Sequence, residues 1–157
     1  MTTTKQQKLN AHIGFDLEKE ADKLWKQIIK QNNKGELRPI RKLWITTKPT
    51  IIVHQCNRMA SSGSYYTGTH TITLSLGRNT AEAWETLAHE LNHSIGLMGH
   101  DEKFYKSLKA IVEKRWNTRI SFYEVGRYGY EVDAIILGQL IKGNLVNFEK
   151  PSAKAVK

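Results

Sequence analysis

The chain contains a single cysteine, Cys56, in 157 residues. An internal disulfide is therefore excluded, and so is a thiolate cluster able to hold a metal. No motif surrounds Cys56 to mark it as a nucleophile, and it reads as an ordinary small residue. Long apolar runs are missing too; none approaches the roughly 20 residues needed to cross a membrane. The first residues, Met1 to Gln7, are polar and lack the apolar stretch of a secretory signal. There are no internal repeats. These absences predict a cytoplasmic protein with no membrane partner.

Acidic residues are scarce, at 15 against 24 Lys and Arg, which leaves a formal net charge of +9. The excess is uneven. Between Lys26 and Lys48 stand Lys26, Lys30, Lys34, Arg38, Arg41, Lys42 and Lys48, with Glu36 as the one acid. Such a stretch can hold phosphates, so DNA is a candidate partner. The plainer reading is a solvated face, since no nucleic-acid-binding motif accompanies the charge.

What is present is enough apolar material for one core: 39% of residues are hydrophobic, four of them Trp. We expect a flexible N-terminus over 1–12, one domain over 13–150, and a mobile basic tail over 151–157. Leu17, Ala21, Leu24, Trp25 and Ile28 recur at helical spacing and predict a helix from about Phe15 to Gln31, stopped by Gly35 and Pro39. Leu43–Thr47 and Thr50–His54 read as strands separated by Pro49, and Ser61–Ser64 as a loop. Tyr65-Tyr66 can pair across Gly68 with the clearest strand, where Ile72, Leu74 and Leu76 alternate with Thr71, Thr73 and Ser75. Asn79 and Glu82 form a capping box for the next helix, whose apolar stripe is Trp84, Leu87, Ala88, Leu91 and Ile95. A further helix is expected from Asp101 to Trp116, strand character over Arg119–Val125, and a last helix over Glu131–Ile141. The fold class is α+β: a small, mostly antiparallel sheet packed on helices.

His89 and His93 lie at i and i+4, so a helix places both imidazoles on one side. Two such nitrogens suit a tetrahedral Zn2+. Glu90, next to the first ligand, can take a proton from a metal-activated water and pass it to a leaving amine. The His89-Glu90-Leu91-Asn92-His93 pattern thus combines two ligands and a general base in one turn. The bland alternative is two solvated helix histidines. A catalytic zinc needs a third protein ligand. His100 is one candidate, beyond the glycine-bounded turn Gly96–Gly99, with Asp101 beside it as a cap. Glu131, in Tyr130-Glu131-Val132-Asp133-Ala134, is the other, with Asp133 as hydrogen-bond partner to an imidazole. His54 and His70 fall in strand regions and His12 in the frayed end; all three are weaker candidates.

His89–His93, followed by Gly99-His100-Asp101-Glu102-Lys103-Phe104-Tyr105, resembles the SprT-like and WLM (Spartan-type) zinc metallopeptidases. In that pattern His100 is the third ligand, Asp101 the acidic residue after it and Phe104 the aromatic. The likeness spans about Tyr65 to Val112. It implies a minimal zincin-like protease core, one Zn2+ per chain and a protein or peptide substrate, with DNA-associated proteins as candidate substrates. The short gap from His93 to His100 is closer to the WLM pattern than to most SprT-like proteins. No Cys-rich zinc ribbon follows.

The strand Thr71–Leu76 is expected along the substrate cleft, with a peptide adding to its edge. Tyr123, Tyr128 and Tyr130 are candidates for oxyanion stabilisation by position in sequence alone. Two rival functions stand beside this reading. One is a zinc-containing protein- or nucleic-acid-binding module without proteolysis. The other is a phage- or plasmid-type accessory protease acting on a host protein.

Overall fold

The computed structural model describes residues 5–37, 47–58, 61–119, 122–124, 130–132 and 139. Within them the elements run α1 (Lys5–Ile13), α2 (Leu17–Asn33), β1 (Thr50–Arg58), β2 (Ser62–Tyr66), β3 (Thr71–Gly77), α3 (Thr80–His93), α4 (Glu102–Trp116), β4 (Phe122–Glu124) and β5 (Tyr130–Val132). The class is α+β, as expected. No described helix is long and apolar enough to cross a membrane.

Helix α1 corrects the expectation of a flexible start. Leu9 and Ile13, one turn apart, are both buried, and the helix stops at Gly14, whose φ of 86° suits glycine. Asn10 then bridges to the next element: its Oδ1 accepts from Leu17 N at 3.1 Å. Two large apolar residues in nine are too few to register as a periodic pattern; packing on the rest of the core supplies what local propensity lacks.

Helix α2 starts where Asp16 Oδ1 accepts from Lys19 N and ends at Gly35, in the left-handed region at φ 75°. Its predicted stripe is the buried one, with Leu24 and Ile28 fully enclosed. Helix α3 begins at Asn79, whose Oδ1 accepts from Glu82 N at 3.0 Å. The box is only half formed. The Glu82 carboxylate does not turn back to Asn79; it accepts from Ser61 N, tying α3 to the start of β2.

The sheet order is β1-β3-β2. Strand β2 pairs antiparallel with β3, Tyr65 opposite Ile72 and Gly63 opposite Leu74. The tight 67–70 connection enforces this hairpin, and His70 takes φ 47° to close it. His70 is locked there: Nδ1 meets Tyr65 Oη at 2.6 Å and Nε2 meets Thr47 O at 2.6 Å. Since a carbonyl only accepts, Nε2 carries the proton and Nδ1 accepts from the tyrosine. His70 is a structural clamp. Strand β1 runs parallel to β3, Thr50 opposite Thr71. The sheet is therefore mixed, not mostly antiparallel. The two differ in which edge of the β2–β3 hairpin receives β1, a long-range choice that alternation along one strand does not encode. Strand β3 is central, and Ile72, Leu74 and Leu76 are fully buried. Of the segment 61–64, expected as a loop, Ser62 to Ser64 form the beginning of β2.

Helices α2, α3 and α4 meet around one buried carboxylate. Glu20 on α2 accepts from Trp84 Nε1 of α3 at 2.9 Å. It also accepts from Arg115 Nε and Nη2 of α4 at 2.7 and 3.0 Å, a two-pronged contact. The guanidinium lies 4.2 Å from the centroid of the Trp116 ring, which packs on Trp84.

The C-terminal expectation is also corrected. Tyr130–Val132 is a strand paired antiparallel with β4, Tyr123 opposite Glu131, and not the start of a helix. Gln139, within the expected helix, is helical; the rest of that helix over 133–138 and 140–141, the expected strand residues 43–46, Tyr128 and the 151–157 tail lie outside the described residues.

Candidate metal centre

The two histidines of α3 arrive on the flank opposite its core stripe, in the last turn and a half of the helix. Beyond Ser94 the chain reverses at Gly96, whose φ of 101° is left-handed. Leu97 is buried after the turn and Met98 is exposed. Asp101 then caps α4, its Oδ1 accepting from Phe104 N at 3.0 Å. This path delivers His100 to the mouth of the site. Asn92 reinforces it from below, donating from Nδ2 to Phe104 O at 2.9 Å inside the core.

The three imidazoles converge through the same atom. His89 Nε2 and His93 Nε2 are 3.1 Å apart, and His100 Nε2 is 3.0 Å from each. These cannot be three hydrogen bonds. His93 Nδ1 lies 2.6 Å from Leu97 O. A carbonyl accepts only, so Nδ1 carries the hydrogen and the neutral ring leaves Nε2 with a bare lone pair. Lone pairs gathered at 3 Å repel one another unless a cation lies among them. A tetrahedral ion with bonds of about 2.0–2.1 Å wants nitrogens about 3.3 Å apart, close to what is present. The donor set therefore fits a metal ion. Phe104 lies against all three rings, at centroid distances of 4.8, 4.4 and 5.2 Å to His89, His93 and His100. It holds the rings in place and excludes water from one side.

The electrostatics point the same way. Burial, reinforced by the fields of His93 and His100, pushes His89 down to about 3. Burial also lowers His93 against the opposing effect of its Leu97 hydrogen bond. These two imidazoles are thus held in the neutral form, the state that metal ligation requires. Glu90 is only 4% exposed, and burial raises its pKa to about 7. Its Oε1 is buried with no hydrogen-bond partner. A carboxylate in that state is costly for stability, and such groups concentrate at functional sites.

Glu90 looks out on a cavity of about 300 Å3 between β2 and α3, walled by Ser62 and Gly63 on one side and by Glu82, Glu85 and Thr86 on the other. His89 also lines it. Strand β2, not β3, borders this space, and β2 is an edge strand whose outer side pairs with nothing among the described residues. The expectation of an accessible edge on β3 is corrected: both of its edges are occupied.

Among the described residues, His89, His93 and His100 are the group able to hold a metal. The alternative ligand Glu131 lies on β5, in a different setting from the expected helix, and its side chain is outside the described residues. His54 is exposed on β1. The basic run is divided by the fold. Lys26, Lys30 and Lys34 join Lys23 and Lys114 around a groove of about 440 Å3 between α2 and α4, with Glu36 as the one acid in its lining. Lys48 instead pairs with Asp22. Arg38, Arg41 and Lys42 lie outside the described residues. Sequence reasoning overlooked Gly63 beneath Glu90. A glycine inside a strand is the available signal, because it marks close approach of another group.

Against known proteins the chain stands apart: no protein-family model matches it, and neither does any curated protein or solved structure.

Proposed function

We propose that the protein is a zinc-dependent metallopeptidase. The observation that carries this is the convergence of His89, His93 and His100 through Nε2 beside a buried carboxylate that has an unpartnered oxygen. Three imidazoles suit zinc and leave it a fourth position, where it would supply a water of lowered pKa and polarise a carbonyl. Glu90 accepts the proton of the attacking water as the new C–O bond forms. It then gives that proton to the amide nitrogen as the C–N bond breaks. A site that merely holds structure has no use for Glu90, whose burial is unfavourable; this favours the enzyme over a binding module.

The open edge of β2, bordering the Glu90 cavity, suits an extended peptide held by main-chain hydrogen bonds. Such pairing reads little sequence. The likeness to SprT-like and WLM peptidases in the His89–Tyr105 segment supports the same activity.

The test is metal content with peptide hydrolysis. Purified protein is expected to hold about one zinc per chain, and His100→Ala to lose it along with activity. Zinc retained in full by His100→Ala, or no metal under any loading, would reject the site.

For the partner, we propose DNA along the α2–α4 groove. None of Lys23, Lys26, Lys30, Lys34 and Lys114 has an ion pair among the described residues, unlike Lys48, Lys106 and Arg115. Duplex affinity is expected to fall with salt at a log–log slope of about −4, and to lose most of that slope when Lys26, Lys30 and Lys34 become Ala. Binding unchanged by those substitutions would remove the groove as the contact.

A further inference from the structure

Among the glycines of known surroundings, Gly63 stands out. Gly35 is explained by its φ of 75° and has open space around the position of a β-carbon. Gly63 has no positive φ, so its backbone would accept any residue. What forbids a side chain is space. A β-carbon there would lie 2.7 Å from Glu90 Cγ, 3.0 Å from Glu90 Oε2 and 3.1 Å from Glu90 Cδ. The first of these is a stem atom close to the helix backbone, which cannot swing aside as a chain tip can.

The position is an inward one. Ser62 and Ser64 on either side are exposed, while Gly63 is half-buried and faces the cross-strand neighbour Leu74, which is fully buried. An inward site on a sheet ordinarily carries an apolar side chain. Here that volume is filled by the stem and carboxylate of Glu90, reaching across from α3. The strand bordering the cavity thus has a notch, and the notch holds the acid.

We propose that Gly63 is a positioning residue that sets where the Glu90 carboxylate sits beside the three histidines. The inference rests on the peptidase reading for its consequence in catalysis, while its steric part stands without it. A methyl group at 63 displaces the carboxylate without touching the histidines. General-base catalysis tolerates little displacement, since proton transfer needs hydrogen-bond reach.

The test uses the full chain loaded with zinc, as Gly63→Ala, Glu90→Ala and the double variant. Gly63→Ala is expected to keep one zinc per chain and to lower kcat for peptide hydrolysis at least about 10-fold with KM unchanged. It is also expected to lower Tm by several degrees in the parent, and by much less in the Glu90→Ala background, where the colliding atoms are gone. Equal Tm losses in both backgrounds would mean that the methyl meets something else, and would overturn the proposal. So would an unchanged kcat in an active, folded Gly63→Ala protein. If the parent hydrolyses no peptide, the peptidase reading fails by itself, and the Tm comparison still decides whether Gly63 positions Glu90. Should Gly63→Ala not fold, folding of the double variant supports the contact and its failure to fold refutes it.

Discussion

Replacing Glu90 by Gln is expected to leave zinc content at the parent value while lowering peptide hydrolysis by about 10²–10⁴-fold. Gln keeps the shape of the side chain, so the packing against Gly63 survives. It cannot take a proton from water, so the base is lost. Hydrolysis at the parent rate would sink the mechanism. The same substitution has a second consequence, in the metal-free protein. Burial raises Glu90 to about 7 from its ordinary value of 4.5. The folded state therefore binds more protons than the unfolded one between those values, and stability falls as pH rises through the window. Above pH 7 the whole penalty is present, at most about 3 kcal/mol for a shift of this size. Glu90→Gln is expected to be more stable than the parent above pH 7 by up to that amount, and equal to it below pH 4.5. His89 acts in the opposite sense: its pKa is lowered to about 3, so it adds stability as pH rises from there to 6.5. Both proteins share that contribution, so their difference isolates Glu90. Denaturant unfolding at pH 4.5 and 8 measures it. A difference that does not change with pH would show that the carboxylate is not held in a desolvated place.

Glu20→Ala is expected to destabilise the fold by about 3–5 kcal/mol, the usual cost of removing one partner from a buried ion pair. The charge on Arg115 would remain, with its side chain only 11% exposed, and the Trp84 indole N–H would lose its acceptor. For a chain of this length that loss corresponds to a fall in Tm of about 10 °C or more. Lys106–Glu102, an exposed pair on α4, provides the contrast. Glu102→Ala is expected to change stability by less than about 1 kcal/mol. Combining Glu20→Ala with Arg115→Met removes both charges and is expected to recover part of the loss. Chemical denaturation of the three variants checks the ordering. A Glu20→Ala protein as stable as Glu102→Ala would show that the three helices are held by apolar packing alone.

Both effects involve contacts of α3, and the two were unequally legible. The helix itself, its cap at Asn79, its stripe and the His89–Glu90–His93 spacing are local: they depend on neighbours three or four residues away, and sequence lists those neighbours in order. The same holds for the alternation of Ile72, Leu74 and Leu76 and for the capped start of α4. The buried carboxylate of Glu20 was not legible, because its partners Trp84 and Arg115 stand 64 and 95 residues away.

The sequence by itself determined which residues could hold a metal, which one could act as base, and that they share one helical turn. It left the third ligand open between His100 and Glu131. Only the tertiary structure brings His100 to the other two nitrogens, because the turn at Gly96, the Leu97 carbonyl on His93 and the bond from Asn92 to Phe104 O together aim it there. The structure alone also put β1 parallel to β3, made β2 the free edge, and set Gly63 under Glu90. The physical reason is common to all of these. Periodicity and capping are written in nearest-turn interactions, whereas the meeting of distant segments depends on how whole faces pack, and many pairings satisfy the same local pattern.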